Sequence, residues 1–446
     1  MTKNKHIAIV GGGLVGSMMS IYLAKRGYRI SVFERRSDMR KNSVDAGRSI
    51  NLALSNRGIR SLDEIGLAGQ LKQASVPMRG RMMHDVNGKL TFQPYGKEGQ
   101  FINSVSRSGL NKVLITEAEA NGVTFFFDHR CVGVDLNETS LSLLSEGKTT
   151  HMKFDNIIGA DGAFSSVRGA MQITHRFDYS QDYIEHGYKE FTIPAGKGGE
   201  FLMEKNALHI WPRESYMLIA LPNPDGSFTC TLFFPFEGSP SFKSLNNPND
   251  FFEFFNKTFP DAIPMMPYLL QELQENPTSS LLTIRCYPWA IQSTLLIGDA
   301  AHAIVPFYGQ GMNAGFEDCR IMNKLLDEFD DDWNRVLPIF QQNRKPDTDA
   351  IATLALANFI EMRDLVADAD FLLRKKIEAK LHELFPDRWI PLYSMVTFHE
   401  NIRYSDALKI GLKQQHVMDI VMKTPGIETT WPALDFQSLV RQIEEA

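Results

Sequence analysis

The stretch His6-Ile-Ala-Ile-Val-Gly-Gly-Gly-Leu-Val-Gly16 decides the fold. Its first five residues read as a short buried strand, and a glycine pattern follows directly, which predicts a strand, a tight turn and a helix reaching about Lys25. Gly11 permits the turn, Gly13 lets the backbone approach a pyrophosphate, and Gly16 lets helix and strand pack closely. The helix N-terminus then faces the phosphate charge. The stretch therefore predicts a dinucleotide-binding unit.

The next strand strengthens this prediction. Gly27 supplies a stop for the helix, and a second apolar strand from Ile30 to Phe33 ends in Glu34. A carboxylate at this place accepts hydrogen bonds from an adenosine ribose. An acid also favours an unphosphorylated ribose, as in FAD or NAD, over that of NADP. Arg36 is a second candidate at the same strand end.

Two later segments extend the site over most of the chain. They are Gly159-Ala-Asp161-Gly162 and Gly298-Asp299-Ala-Ala-His302, and the second follows an apolar strand at 294–297. In this order, the three segments indicate one chain wrapped around one FAD, and hence redox chemistry. Two plainer interpretations stay open. Asp299 could be an ordinary helix N-cap, and Asp161 could cap a helix or reach Arg168.

Composition limits the function classes. The 446 residues are 43% hydrophobic and 22% charged, which is typical of a globular protein of two or three domains. The net charge of −6 argues against a nucleic-acid binder. The four cysteines lie far apart with no Cys-x-x-Cys, so we expect neither a metal site nor a disulfide framework. No signal peptide and no run of 18 apolar residues is evident, so we expect a cytoplasmic protein without a membrane anchor.

The nucleotide-binding unit is not contiguous. Residues 75–103 read as β-hairpin material with Asn87-Gly88 as the turn, residues 186–236 alternate like antiparallel strands, and the chain after about residue 313 is mostly helical. We therefore predict an α/β fold in which a Rossmann-like FAD-binding domain is interleaved with an antiparallel sheet domain that binds the substrate, followed by a C-terminal helical region. The predicted boundaries are 1–74, 104–180 and 282–325 for the FAD-binding domain, 75–103 and 181–281 for the sheet domain, and 326–446 for the helical region.

This layout resembles the para-hydroxybenzoate hydroxylase-like class A flavoprotein monooxygenases, which carry the three flavin segments in this order. Several further blocks resemble the kynurenine 3-monooxygenase family within that class: Arg48 to Ser55, Met78 to Met82, Gln93 to Gly96, Leu208 to Pro212, Pro306 to Asn313 and Tyr393 to Phe398. The resemblance spans about residues 5–400. The chain departs from it at Tyr308, where histidine is expected, and at Ala314-Gly315, where Cys-Ala is more usual.

The fingerprint and the resemblance together give the candidates for contact with FAD. In this class the aspartate of the third segment meets the ribityl chain, and the helix after it approaches the pyrimidine end of the flavin, where its dipole stabilises negative charge. The candidates are Gly11, Gly13, Leu14, Val15, Gly16, Glu34, Arg36, Ala53, Arg107, Asp299, Gly311, Met312 and Asn313.

Arg81 and Tyr95 are the candidates for holding an amino-acid substrate. A guanidinium forks two hydrogen bonds to a carboxylate, and a phenol adds a third. The resemblance carries this positioning role onto both residues. A structural ion pair at Arg81, or an anion patch shared with Arg79, is the alternative.

The resemblance also implies that Asn358 and Tyr393 hold the amino-acid end of the substrate. Phe233 and the loop at 306–307 would form an apolar wall beside its aromatic ring, although a phenylalanine in a strand is often only part of the hydrophobic core. His302 invites a role as catalytic base, but we expect it to pack or bond locally.

The resemblance implies the reaction. NADPH would reduce FAD, O₂ would give a flavin 4a-hydroperoxide, and L-kynurenine would become 3-hydroxykynurenine, a step of tryptophan degradation towards quinolinate and NAD. Three alternatives stay open: an aromatic hydroxylase for another anionic substrate, a flavin reductase without oxygen insertion, and a flavin-bound signalling module. We expect a monomer or homodimer.

Overall fold

The computed structural model describes residues 5–41, 51–97, 99–362 and 369–445. Residues 48–50 of the block that begins at Arg48 lie outside this part of the chain. The strands are β1 His6–Val10, β2 Arg29–Phe33, β3 Asn51–Leu54, β4 Ser75–Met78, β5 Gly80–His84, β6 Leu90–Pro94, β7 Ile102–Ser106, β8 Thr124–Phe126, β9 Arg130–Asp135, β10 Ser140–Ser145, β11 Lys148–Lys153, β12 Asn156–Gly159, β13 Asp178–Ile193, β14 Ala207–Arg213, β15 Tyr216–Pro222, β16 Phe228–Pro235, β17 Ser279–Tyr287, β18 Ala290–Ile291 and β19 Thr294–Leu296.

Helices connect and cover these strands. They are α1 Leu14–Lys25, α2 Asn56–Glu64, α3 Ala68–Gln73, α4 Arg107–Ala120, α5 Ser166–Gln172, α6 Pro248–Thr258, α7 Leu269–Glu275, α8 Asp299–His302, α9 Gly311–Glu328, α10 Trp333–Ile360, α11 Ala369–Leu384, α12 Leu392–Phe398, α13 Tyr404–Val421, α14 Ile427–Thr430 and α15 Phe436–Glu445. Short 3-10 turns occupy Ile263–Met265, Pro306–Tyr308 and Trp431–Ala433.

A six-stranded sheet in the order β18-β19-β12-β1-β2-β8 forms the predicted nucleotide-binding unit. Strand β1 pairs in parallel with β2 and β12, and β12 pairs in parallel with β19. The three predicted flavin segments follow β1, β12 and β19, which are neighbours in this sheet. Because the carboxyl ends of parallel strands meet at one edge, the fold brings these segments together.

A seven-stranded sheet in the order β17-β13-β16-β15-β14-β5-β6 forms the second layer. It is antiparallel except where β14 pairs in parallel with β5, and β5 and β6 form the predicted hairpin. Side chains alternate between its two faces. One face, which we call the ligand face, carries Met83, Ile210, Met217 and Phe233 and packs on the 304–308 loop and on helices of the C-terminal region. The opposite face packs on the phenylalanines of α6.

The segment 75–103, predicted as one hairpin, is divided between two sheets. Strand β4 pairs with β7 in the three-stranded sheet β3-β7-β4, while β5 and β6 join the seven-stranded sheet. The other three-stranded sheet is β11-β10-β9. The domain boundaries predicted above remain a proposal.

The C-terminal region is helical, as predicted. Helix α10 has 28 residues and continues through Pro338 and Pro346, and it packs on α9 and α13. Within the described residues, no helix is both long enough and apolar enough to cross a membrane. The mixed α/β fold with interleaved sheets and a helical C-terminal region confirms the predicted fold class.

Candidate active site

The glycine loop after β1 has the form that a pyrophosphate needs. Gly11 has φ 104°, and a Cβ there would lie 2.4 Å from the carbonyl oxygen of Ala160. A Cβ on Gly16 would lie 2.0 Å from the Gly11 oxygen, so both positions require glycine. Gly13 is exposed, and a Cβ on it would meet nothing within 4 Å. The loop is therefore closed towards the protein and open at Gly13, the position where a phosphate would lie.

Glu34 is fixed at the end of β2 by two backbone groups. Its Oε2 accepts a hydrogen bond from the Gly12 amide at 2.9 Å, and its Oε1 accepts one from the Arg36 amide at 2.9 Å. Each carboxylate oxygen keeps capacity for a further donor such as a ribose hydroxyl. The side chain of Arg36 is exposed beside it.

Asn111 is a residue of this loop that sequence reasoning missed. It lies on the buried face of α4, and its Nδ2 donates to the Gly12 carbonyl oxygen at 3.1 Å. Its Oδ1 is buried and has no hydrogen-bond partner among the described residues. A polar residue on the apolar face of a helix was the available signal.

Asp299 is the first residue of α8 and is exposed. The N-cap of this helix is Gly298, with φ 58°, so Asp299 does not serve as the cap. A Cβ on Gly298 would lie 3.1 Å from Val15 Cγ1, which shows how closely the third segment approaches the glycine loop. The Asp299 carboxylate therefore stands at the shared strand edge and is free to meet a ligand.

Asn313 contributes structure through its side chain. Its Nδ2 donates to the carbonyl oxygens of Ala53 and Gly309, each at 2.8 Å, and its Oδ1 accepts from the Ser55 amide at 3.0 Å. These bonds tie the N-terminal turn of α9 to β3. Any contact of Asn313 with a cofactor is thus left to its backbone, as it is for Gly311 at the start of the helix.

Asp161 has the first of the two roles considered from sequence, because it caps a helix. Its Oδ2 accepts from the Ser166 amide at 2.6 Å at the start of α5. Its Oδ1 is buried without a partner in the described structure, and burial raises the pKa of this carboxyl. Arg168 does not pair with it, because its Nη1 donates to the Ala300 carbonyl oxygen at 2.7 Å.

Arg107, the first residue of α4, is exposed at the junction of the two large sheets. It is the positive charge that acts on Glu190 of β13. Burial raises the pKa of Glu190 to about 7, although Arg107 opposes this rise. The Arg107 charge therefore acts from α4 on a residue of the seven-stranded sheet. The open glycine loop and the Arg107 guanidinium offer donors, and the Glu34 and Asp299 carboxylates offer acceptors, so this set of groups fits FAD.

The predicted substrate clamp assembles on the ligand face. Tyr95 and Tyr393 stack with ring centroids 5.4 Å apart, and the Arg81 guanidinium lies 4.9 Å from the Tyr393 centroid and 5.6 Å from that of Tyr95. Arg81 Nε and the Tyr95 hydroxyl are buried, and no described residue forms a hydrogen bond with either. Among the described residues, Arg81 makes no ion pair within 4 Å, and the Glu361 carboxylate is the negative charge that acts on it.

A wall of phenylalanines lies beside the clamp. Phe307 stacks on Phe359 with centroids 4.2 Å apart, and Phe233 lies 4.9 Å from Phe307. Asn358 holds this wall, because its Nδ2 donates to the Phe307 carbonyl oxygen at 2.7 Å. Asn358 is buried, and its observed hydrogen bond acts on the loop.

Glu361 and Tyr308 complete the surroundings of the clamp, and sequence reasoning gave neither a role. Burial would lower the pKa of Arg81, but Tyr393, Tyr95 and the Glu361 carboxylate raise it, so the guanidinium stays charged. Burial raises the pKa of Tyr308 well above 10, with further contributions from Tyr393 and Glu361. Glu361 follows directly on α10 and three residues after Asn358, and this helical spacing was the available signal.

His302 is engaged inside the protein. Its Nε2 lies 2.6 Å from Asp318 Oδ2, and both side chains are almost completely buried. A ring nitrogen held by a buried carboxylate is not available to a substrate, which supports the local role expected for this residue.

Comparisons with known proteins agree with this geometry. The model of the FAD binding domain family matches residues 4–336. The fold is similar to that of 2-methyl-3-hydroxypyridine-5-carboxylic acid oxygenase, with a TM-score of 0.69 and 21% identity over 83% of this chain and 96% of that one. It is also similar to pqsL, described as a probable FAD-dependent monooxygenase from Pseudomonas aeruginosa, with a TM-score of 0.65 and 17% identity over 81% and 97%. The family model and the fold thus define the class of proteins with this FAD-binding domain.

Relatives with much higher sequence identity define the family of this chain. The chain is 48% identical over 443 residues to the kynurenine 3-monooxygenase of Christiangramia forsetii, covering 99% of both chains. It is 47% identical to that of Flavobacterium johnsoniae, again over 99% of both, and 46% identical to that of Dictyostelium discoideum over 94% of both. The chain belongs to the kynurenine 3-monooxygenase family.

Proposed function

We propose that this protein hydroxylates L-kynurenine to 3-hydroxykynurenine, using FAD as its cofactor and NADPH and O₂ as co-substrates. The observation that carries the proposal is the pair of buried, unpaired polar atoms at Arg81 Nε and the Tyr95 hydroxyl. A buried donor without a partner costs about 1–3 kcal/mol. A substrate carboxylate accepts hydrogen bonds from both groups and removes this cost on binding.

The charges at the clamp suit both ends of an α-amino acid. Arg81 and Tyr95 supply donors for the carboxylate. Glu361, whose negative charge acts on both Arg81 and Tyr308, supplies the partner for the α-ammonium group. A zwitterionic substrate therefore meets an opposite charge at each end, whereas a simple aromatic acid offers Glu361 no cationic group.

The phenylalanine wall suits the aryl ring of the same substrate. Phe233, Phe307 and Phe359 present apolar ring faces and exclude water from the ring. Asn358 fixes the loop that carries Phe307, so the wall and the amino-acid clamp keep a constant separation. Fixing the substrate ring relative to the oxidant can contribute about 7–11 kcal/mol to catalysis.

FAD, when bound, takes electrons from NADPH and activates O₂ for transfer of one oxygen atom to the ring. Gly11, Gly13 and Gly16 would receive its pyrophosphate and Glu34 its ribose, while Arg107, Asp299 and the N-terminal turn of α9 would face the flavin half. The aniline nitrogen of kynurenine activates its own ring. The protein therefore needs no strong base, in keeping with the engaged state of His302.

The test is NADPH oxidation by the flavin-loaded protein with and without L-kynurenine, with product mass measured. Strong stimulation and a product heavier by one oxygen atom would support the proposal. Stimulation that yields only hydrogen peroxide would favour another anionic aromatic substrate. An oxygen-independent turnover would favour the reductase alternative, and no response in a flavin-loaded protein would remove the kynurenine assignment.

A further inference from the structure

Three tyrosines form one continuous stack at the substrate clamp. Tyr308 lies on Tyr393 with centroids 5.5 Å apart and planes 19° from parallel, and Tyr393 lies on Tyr95 at 5.4 Å and 11°. Tyr308 and Tyr95 are 7% and 8% exposed, so both phenols are buried in the protein. The stack thus places the Tyr308 phenol close to the clamp that the proposed function uses.

The Tyr308 hydroxyl lies among the charged groups of the clamp. Burial raises the pKa of this phenol well above 10, Tyr393 and Glu361 raise it further, and Arg81 lowers it. The phenol is therefore a neutral donor that stands near both the positive and the negative end of the clamp. Among the described residues, none forms a hydrogen bond with its hydroxyl. A phenylalanine would provide the same ring for the stack, so packing alone does not account for a tyrosine here.

The loop gives Tyr308 a defined position along the substrate. Its neighbour Phe307 belongs to the phenylalanine wall, and Gly309, with φ 66°, turns the chain towards α9. A Cβ on Gly309 would lie 2.9 Å from Ala53 Cβ, so the turn is held against β3. The loop therefore presents Phe307 to the aryl ring and Tyr308 to the amino-acid end from one rigid turn.

We propose that Tyr308 is a specificity-determining residue whose hydroxyl donates a hydrogen bond to the amino-acid end of the substrate and so selects aryl ketones that carry an α-amino acid. This inference rests on the proposed function. It adds to the clamp a donor on the 306–308 loop, stacked on the same Tyr393 ring that Arg81 contacts. The Tyr308 hydroxyl, and not its ring, is the group that distinguishes ligands with an α-amino acid end from ligands without one.

The test compares Tyr308→Phe with the wild-type holoenzyme on two ligands. L-Kynurenine has the amino-acid end, and 2-aminoacetophenone is an aryl ketone that lacks it. The variant should raise the KM for L-kynurenine about tenfold, the value of one hydrogen bond, while kcat stays near that of the wild type. The dissociation constant of 2-aminoacetophenone, read from the flavin absorbance or from competition with L-kynurenine, should not change.

Tyr188→Phe is the matched control. Tyr188 lies on the same ligand face beside Phe233, with centroids 6.3 Å apart, but outside the tyrosine stack. The Tyr188→Phe variant should leave the ratio of the affinities for L-kynurenine and 2-aminoacetophenone unchanged. An unchanged KM in Tyr308→Phe, or an equal loss for both ligands, would overturn the inference. A wild-type holoenzyme that shows no response to L-kynurenine would instead overturn the proposed function, so the two failures are distinguishable.

Discussion

Two buried polar clusters lie close together in this molecule, and they differ in whether their hydrogen bonds are satisfied. The first, which we call the charged network, consists of Arg57, His302, Glu317, Asp318 and Arg344. Arg344 bonds Glu317 and Asp318, each at 2.8 Å, and Arg57 bonds Glu317 at 2.9 Å. The second is the clamp of Arg81, Tyr95, Tyr308 and Tyr393, where Arg81 Nε and the Tyr95 hydroxyl have no partner in the described structure.

This difference in hydrogen bonding distinguishes a cluster that stabilises the fold from one that we propose binds a ligand. The charged network joins α2, α8, α9 and α10, and its partners neutralise each other inside the protein. Burial would raise the pKa of Glu317, but Arg344 and Arg57 lower it, so the carboxyl stays ionised. The clamp keeps equally buried groups unpaired, which is unfavourable unless a ligand completes them. A satisfied cluster holds the fold together, and we propose that the unsatisfied clamp is the binding site.

The largest effect should follow from breaking the charged network. Arg344→Met removes the cation shared by Glu317 and Asp318, so each of these buried carboxylates loses one of its partners. Removing one partner of a buried pair costs about 3–5 kcal/mol. Chemical unfolding of the protein should show this loss. Arg403→Ala removes a half-exposed partner of Asp347 and should cost less than about 1 kcal/mol. Equal losses of unfolding free energy in the two variants would contradict the structural role of the charged network.

Breaking the clamp should affect binding while leaving stability intact. Arg81→Met keeps the side-chain volume and removes an incompletely paired buried cation, so the free energy of unfolding should stay constant or rise. Loss of a forked, charge-assisted contact of about 3 kcal/mol should raise the KM for L-kynurenine about 100-fold. The exposed neighbour Arg79→Met is the control and should change neither quantity. A strongly destabilised Arg81→Met would mean that the arginine is structural.

The sequence predicted the elements in which local pattern and function coincide. The strand, turn and helix around Gly11 follow from apolar runs and from glycines that only a close backbone approach explains. Glu34, at the end of β2, follows from spacing along the same unit. The convergence of the three flavin segments could be expected once each was placed after a parallel strand.

The sequence could not predict which polar residues are buried partners. Arg57, Glu317 and Arg344 have the spacing and composition of exposed helix faces, yet they form a buried network. Glu361 acts on Arg81 across about 280 positions of sequence, and only the tertiary fold brings the two together. Burial of a polar side chain depends on packing between distant elements, which no local pattern records.

Acid should reduce the contribution of the charged network to folding stability over a defined pH range. Burial alone would raise the pKa of Asp318, but His302 and Arg344 lower it from 3.8 to about 2. A lowered carboxyl pKa stabilises the folded state above the unfolded value, and this contribution is lost as the pH falls from about 4 to about 2. The loss should be on the order of 2 kcal/mol in unfolding measurements. Asp318→Asn should be less stable at neutral pH and should show a smaller loss in that window.

The smallest effect should come from the single unpaired hydroxyl of Tyr95. Tyr95→Phe keeps the ring in the stack with Tyr393 and removes one donor. One hydrogen bond to a carboxylate is worth about 1.5 kcal/mol, so the KM for L-kynurenine should rise about tenfold while the unfolding free energy stays the same or increases slightly. Tyr404→Phe provides the contrasting case. Its hydroxyl donates to Gln310 Oε1 at 2.8 Å in the buried interior, so its loss should reduce stability by about 1 kcal/mol and leave KM unchanged. If both variants changed stability alone, the Tyr95 hydroxyl would belong to the satisfied interior and the clamp would lose one of its donors.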